Sequence, residues 1–105
     1  MAGSVVAWTF PARQDLFNAL RYLVQEAKSP QAAATLLERL EAAAASLRQF
    51  PERGRVVPEL GPPRRELLVE GYRLVYRVRS EVEILRLIHS RQHFLRTWKD
   101  GGGRV

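Results

Sequence analysis

From Gly71 to Val78 the chain reads GYRLVYRV and alternates strictly. Tyr72, Leu74, Tyr76 and Val78 fall on one face of a strand, and Arg73, Val75 and Arg77 on the other. The apolar and aromatic face suits a core. The arginine face suits phosphate or an acidic partner. Strands are also predicted at Arg64 to Glu70 and at Val82 to His89, with turns at Glu70-Gly71 and Arg79-Ser80-Glu81. VEILRLIH is apolar on both faces through Ile84, Leu85, Leu87 and Ile88, which predicts a central strand rather than an edge.

The first half follows a different period. Val5 to Phe10, VVAWTF, is a short β-branched and aromatic run that predicts a strand. Leu16, Leu20, Leu23 and Ala27 then recur at helical spacing, with Phe17 and Val24 widening the stripe and Thr9 placed to cap. Ser29-Pro30 restarts a helix, which runs to about Gln49. Its buried stripe is Ala33, Leu36, Leu40, Ala43 and Leu47, with Leu37 and Ala44 beside it. So short a connection makes the pair an antiparallel hairpin. Proline and glycine keep residues 51–63 irregular, and Gln92 to Trp98 fits either a short helix or an extended tail. The predicted class is α+β, with the order βααβββ. One strand, an antiparallel helical hairpin and a three-stranded antiparallel meander follow in turn, the helices packed on one face of the sheet. Residues 1–98 make one domain, and 99–105, with three consecutive glycines, a flexible C-terminal tail.

Charge refines this picture. The chain has 105 residues, a formal net charge of +6 and no cysteine, so disulfides and thiolate metal sites are excluded. From Pro51 onward there are 12 basic and 7 acidic residues, and only Lys28 and Lys99 are lysines. The excess is therefore arginine, concentrated with the strands. No segment has the length of a membrane span or the build of a signal peptide, and a cytoplasmic location is expected.

In a regular meander Arg73 lies at the same end of the sheet as His89 and Arg91. Arginines can hold a phosphate, and a histidine can move a proton near neutral pH. That is the minimum for metal-free RNA cleavage through the ribose 2′-hydroxyl. A purely structural reading competes at each position. Arg77 and Arg79 beside Glu81 and Glu83 suit cross-strand ion pairs, and Arg64 and Arg65 before Glu66 suit a solvated strand entry. A lone histidine after an apolar strand suits a cap or the surface. No phosphate-cradling glycine loop is present, and the His89 and His93 pair lacks a carboxylate, so neither cofactor nor metal is expected.

The layout resembles the RelE/ParE superfamily of type II toxin–antitoxin toxins over roughly residues 5 to 94. The motifs are Phe10 to Leu16 entering the first helix, the loop Pro51, Glu52, Gly54, Arg55, Val57, Pro58 and Glu59, then Arg65 to Leu67, Tyr72 to Val78, and Ile84 to Arg91. The resemblance implies a toxin silenced by a cognate antitoxin, a small, partly disordered chain that is acidic in its docking segment and forms a hetero-oligomer with it. Arg64, Arg65, Arg73, Arg77 and Arg91 would bind antitoxin or target. RelE-like members cleave messenger RNA on the ribosome; ParE-like members poison DNA gyrase. Arg73 and Arg91 fall near functional arginines of RelE-like toxins, and a nuclease would use Arg73, His89 and Arg91. The lysines of RelE-like sites are replaced by Arg53, Arg55, Arg64 and Arg65, and the 51–59 loop with the closing IHSR is similar to the ParE-like, plasmid-stabilisation pattern. ParE-like gyrase poisoning is the expectation. A ribosome-dependent endoribonuclease and a non-toxic antitoxin- or RNA-binding module are the alternatives.

Overall fold

The computed structural model describes residues 5–100. Strand β1 (Val6–Trp8) is followed by helices α1 (Phe10–Gln25) and α2 (Pro30–Ser46), strands β2 (Arg55–Val56), β3 (Arg65–Val69), β4 (Tyr72–Val78) and β5 (Val82–His89), and helix α3 (Phe94–Asp100). The five strands form one sheet in the order β1-β5-β4-β3-β2. Strand β1 runs parallel to β5, and the other pairings are antiparallel. The α+β class, the hairpin-linked meander and the central position of β5 are as the sequence predicts.

Local chemistry explains the boundaries. Thr9 caps α1, its hydroxyl oxygen accepting from the Ala12 N–H at 3.4 Å. The same hydroxyl donates to the Ile84 carbonyl at 2.8 Å, fastening the start of the helix to β5. Phe10 is therefore the first residue of α1 and not the end of a strand. Ser29 caps α2 through the Ala32 N–H, with Pro30 in the first turn where no donor is needed. Glu70 and Gly71 both have positive φ, 50° and 84°, as a two-residue type I′ hairpin requires.

Two apolar clusters lie on opposite faces of the sheet. The larger joins Leu36, Leu40, Ala44 and Leu47 of α2 and its end to Leu74, Tyr76, Val82, Ile84 and Leu87, with Leu16, Leu20 and Leu23 of α1 packed against it. Phe17 and Val24 do not widen this stripe; they are 60% and 44% exposed. Small Ala12 and Ala19 take the inner face of α1 instead and let it approach the sheet closely. The smaller cluster, on the far face, joins Val57, Val75, Leu85 and Ile88 to Phe94 and Trp98 of α3. The far face is thus capped by a third helix, which runs through Asp100; the glycines of the expected tail lie outside the described residues.

Two features were not predicted. Arg55 and Val56 pair with Glu66 and Arg65, giving the irregular loop a two-residue edge strand. Gly54 makes this possible, because a Cβ there would lie 2.6 Å from the Glu66 carbonyl oxygen and 2.7 Å from the Tyr76 hydroxyl. The β4–β5 ladder also slips by one residue between Val75 and Tyr76. Tyr76 faces Ile84, yet Val75 faces Arg86, so Leu85 is the extra residue of a bulge.

Candidate functional site

The bulge decides which side chains can meet. A regular ladder from the Val78–Val82 pair would set Gly71 opposite His89 and put His89 on the arginine face. With the bulge, Tyr72 faces His89 and Arg73 faces Ile88. The His89 ring packs edge-on against Tyr72, with centroids 4.8 Å apart, on the face covered by α1 and α2. Arg73 points to the other face. The juxtaposition of Arg73 with His89 expected from a regular meander is therefore not formed, because one extra residue reverses the parity of β5 beyond it.

On the far face the arginines already have partners. Arg73 donates from Nε to Glu66 Oε1 at 2.6 Å and from both terminal nitrogens to Glu59, at 3.0 and 2.6 Å. Its guanidinium lies 4.0 Å above the Phe94 ring, and its side chain is only 12% exposed. The hydrogen bonds it donates to Glu59, with Glu66 adding to them against the desolvation of burial, hold Arg73 charged more firmly than a free arginine. Arg73 in turn draws the Glu59 carboxyl below its ordinary range. Glu66 has no side-chain exposure and also accepts from Arg55 Nε at 2.7 Å. The sequence placed Glu59 only in the 51–59 loop motif and Glu66 only in a solvated strand entry, a reading that the burial of Glu66 overturns. Glu66 does lie next to the apolar run Leu67 to Val69 within the RELLV strand, which was the available signal.

The remaining candidates are held in different ways. Arg77 Nε bonds Glu83 at 2.7 Å across the β4–β5 pair, as the structural reading anticipated. Arg65 donates to the carbonyls of Glu52 and Gly54 and so holds the loop before β2. Arg64 lies 5.8 Å over the Trp98 ring, with its Nε buried and unpartnered. Arg86, unremarked in the sequence, is the most deeply embedded. It makes a two-pronged bond to Asp15 at 2.7 and 3.0 Å and donates to the carbonyls of Thr97 and Trp98. Asp15 also accepts the Leu87 N–H at 2.9 Å, so one ion pair joins α1, β5 and α3.

The helical face is different. Two adjoining cavities of about 310 and 490 Å³ share Tyr22, Tyr72 and His89. The first continues to Leu23, Leu36 and Glu70. The second continues to Asn18, Asp15, Gln92 and Arg91. His89 Nδ1 accepts the Arg91 N–H at 3.0 Å, so a neutral ring carries its proton on Nε2. Burial raises the Tyr72 hydroxyl above its ordinary range and keeps it a donor. Arg91 is exposed and makes no ion pair among the described residues.

Comparison with known proteins agrees with this architecture. The family described as the ParE toxin of the type II toxin-antitoxin system, parDE, matches residues 6–94. A solved structure from P. aeruginosa, described as a chromosomal ParDE TA system, is similar with a TM-score of 0.65 at 26% sequence identity, covering 82% of this chain and 95% of that one. No curated protein sequence matches this chain.

Proposed function

This chain belongs to the ParE toxin family and is the toxin component of a type II toxin–antitoxin module; from that premise we propose that it acts by poisoning DNA gyrase. Its partner in the resting cell is a cognate antitoxin. The observation that carries the gyrase reading, beyond family membership, is the separation of the residues a nuclease would need. Arg73 sits between Glu59 and Glu66 on one face, and His89 lies against Tyr72 on the other. A phosphate approaching Arg73 would meet two carboxylates first, and repulsion between like charges opposes that approach. The catalytic trio Arg73, His89 and Arg91 of the nuclease alternative thus draws no support from this arrangement.

Poisoning a large enzyme needs a contact surface rather than a set of proton-transfer groups. A basic, self-braced domain that keeps its fold while it docks suits that role. Among the arginines expected to bind antitoxin or target, Arg64, Arg65, Arg73 and Arg77 would act from within existing contacts, whereas Arg91 can take a new anion directly.

The test pairs two readouts. Purified toxin added to gyrase and plasmid should inhibit supercoiling or accumulate cleaved DNA, and expression in cells should raise the DNA-damage response with transcripts intact. Cleaved transcripts together with unimpaired gyrase would sink the proposal and restore the nuclease. Harmless expression without the antitoxin would favour a non-toxic binding module.

A further inference from the structure

We propose that the outward face of α1 is the surface by which this toxin grips gyrase. Phe10, Phe17 and Val24 would enter an apolar groove of that enzyme, and Arg21 would meet a carboxylate set within it. The inference rests on the gyrase reading and adds the contact surface to it.

Phe10, Phe17 and Val24 follow one another at intervals of seven residues, so they lie in one line along the helix with a drift of about 20° per step. That line points away from the sheet, because Ala12 and Ala19 hold the inner side. All three side chains are exposed, Phe10 the most at 65%. Scattered apolar residues are ordinary on a protein surface, but three in line on one helix form a contact stripe.

Charge sharpens the stripe. Arg13, Gln14 and Arg21 share this face and are exposed, and neither arginine makes an ion pair among the described residues. Arg21 stands over the Phe17 ring at 5.8 Å, so ring and cation present one composite knob. The helix has a single carboxylate, Asp15, which is turned to Arg86 and the Leu87 N–H. The outward face is therefore apolar and positive with no anion of its own, and its complement is an apolar surface that carries a carboxylate. The helix is also held rigidly. Thr9 fastens its start to β5, and Asp15 ties its middle to β5 and, through Arg86, to α3. A face preformed in this way docks without an ordering cost.

Other occupants fit less well. A bilayer takes a helix whose apolar face is unbroken and whose cations stand on the polar side, but Arg21 lies within the stripe, between Phe17 and Val24. DNA needs a row of cations, and here apolar side chains stand where phosphates would lie. A second copy of the toxin, also at +6, would set like charge against like. A folded protein with a carboxylate in an apolar groove meets both requirements, and gyrase is the protein that the proposed activity supplies.

The experiment uses full-length toxin freed of antitoxin, purified gyrase and relaxed plasmid, with supercoiling read across a toxin titration. Phe17→Glu and Arg21→Glu place a good helix former at exposed positions. Each should raise the toxin concentration for half-inhibition about tenfold or more, whereas Leu68→Glu, exposed on β3 and equal to Phe17→Glu in charge change, should shift it by less than about twofold. A benzophenone amino acid in place of Phe17 should cross-link to gyrase on illumination, and one in place of Leu68 should not. Wild-type potency in either α1 variant, or no cross-link from the Phe17 position, overturns the proposal and leaves the gyrase reading in place. So does binding to vesicles of phosphatidylcholine and phosphatidylglycerol, or self-association in sedimentation, that both variants abolish while gyrase inhibition stays intact. Wild-type toxin that leaves gyrase unaffected removes the gyrase reading and this contact together, and the wild-type titration alone separates that failure from the other.

Discussion

The two faces of the sheet treat positive charge in opposite ways. On the far face Arg55, Arg73, Arg77 and Arg86 each meet a carboxylate of the same chain, and Phe94 and Trp98 close over the centre. On the helical face Arg91, His89 and two tyrosines surround a trough and keep their donors unspent. A run of arginines on a strand therefore says little about where a partner binds. What matters is whether the fold supplies its own counterions, and here it does so on the face that carries most of the arginines.

The largest expected effect comes at the residue that serves both faces. Asp15 borders the trough yet holds Arg86 from the far side. Asp15→Ala leaves a guanidinium that is 3% exposed without its counterion, and should lower stability by about 3–5 kcal/mol in urea denaturation. Glu66→Ala tests the far face alone. It strands Arg73 between Phe94 and a single remaining carboxylate and should cost about 3 kcal/mol, with part recovered when Arg73→Met is added. A cost below about 1 kcal/mol would mean that the far face is not self-neutralising.

A pH titration distinguishes the faces at opposite ends of the scale. Tyr76 and Tyr72 are raised above their ordinary range, chiefly by burial. The native state thus holds their protons longer than the unfolded chain, and the stability they confer is lost as pH rises past about 10. Glu59 is lowered, chiefly by its hydrogen bond from Arg73, so its contribution is lost only as pH falls below the ordinary glutamate range. Thermal unfolding across pH should show an alkaline loss first at the tyrosines and an acid loss displaced downward. The smallest effect is reserved for Arg91→Ala, which should change stability by no more than about 0.5 kcal/mol, because nothing in the fold depends on its side chain.

Much of the architecture was legible in the chain. Thr9 and Ser29 announced the helix starts, Glu70-Gly71 the tight turn, and the doubly apolar β5 its central place. The contact between Arg73 and His89 was the sound deduction from an unbroken ladder, and one residue undid it. The bulge at Leu85 left no trace because Ile84, Leu85, Leu87 and Ile88 are apolar whichever way the strand is turned, so a slipped register buries as well as a regular one. Phe17 and Val24 misled for a related reason. Their spacing belongs to a helix, but period alone cannot say that Ala12 and Ala19 occupy the inner side. The carboxylates at Glu59 and Glu66 lie far enough from Arg73 in sequence that only the β3–β4 pairing and the loop before it bring them together.

The ion pair of Asp15 with Arg86 spans 71 residues, and β1 waits slightly longer for β5. A ribosome adding roughly 5–20 residues per second leaves the first helix without its anchor for several seconds. Until the last turns of the chain emerge, α3 has nothing to brace and the far face has no lid. Completion of this fold is thus timed by β5 and α3. A nascent chain whose central strand is still unmade leaves the inner faces of both helices without the sheet that buries them.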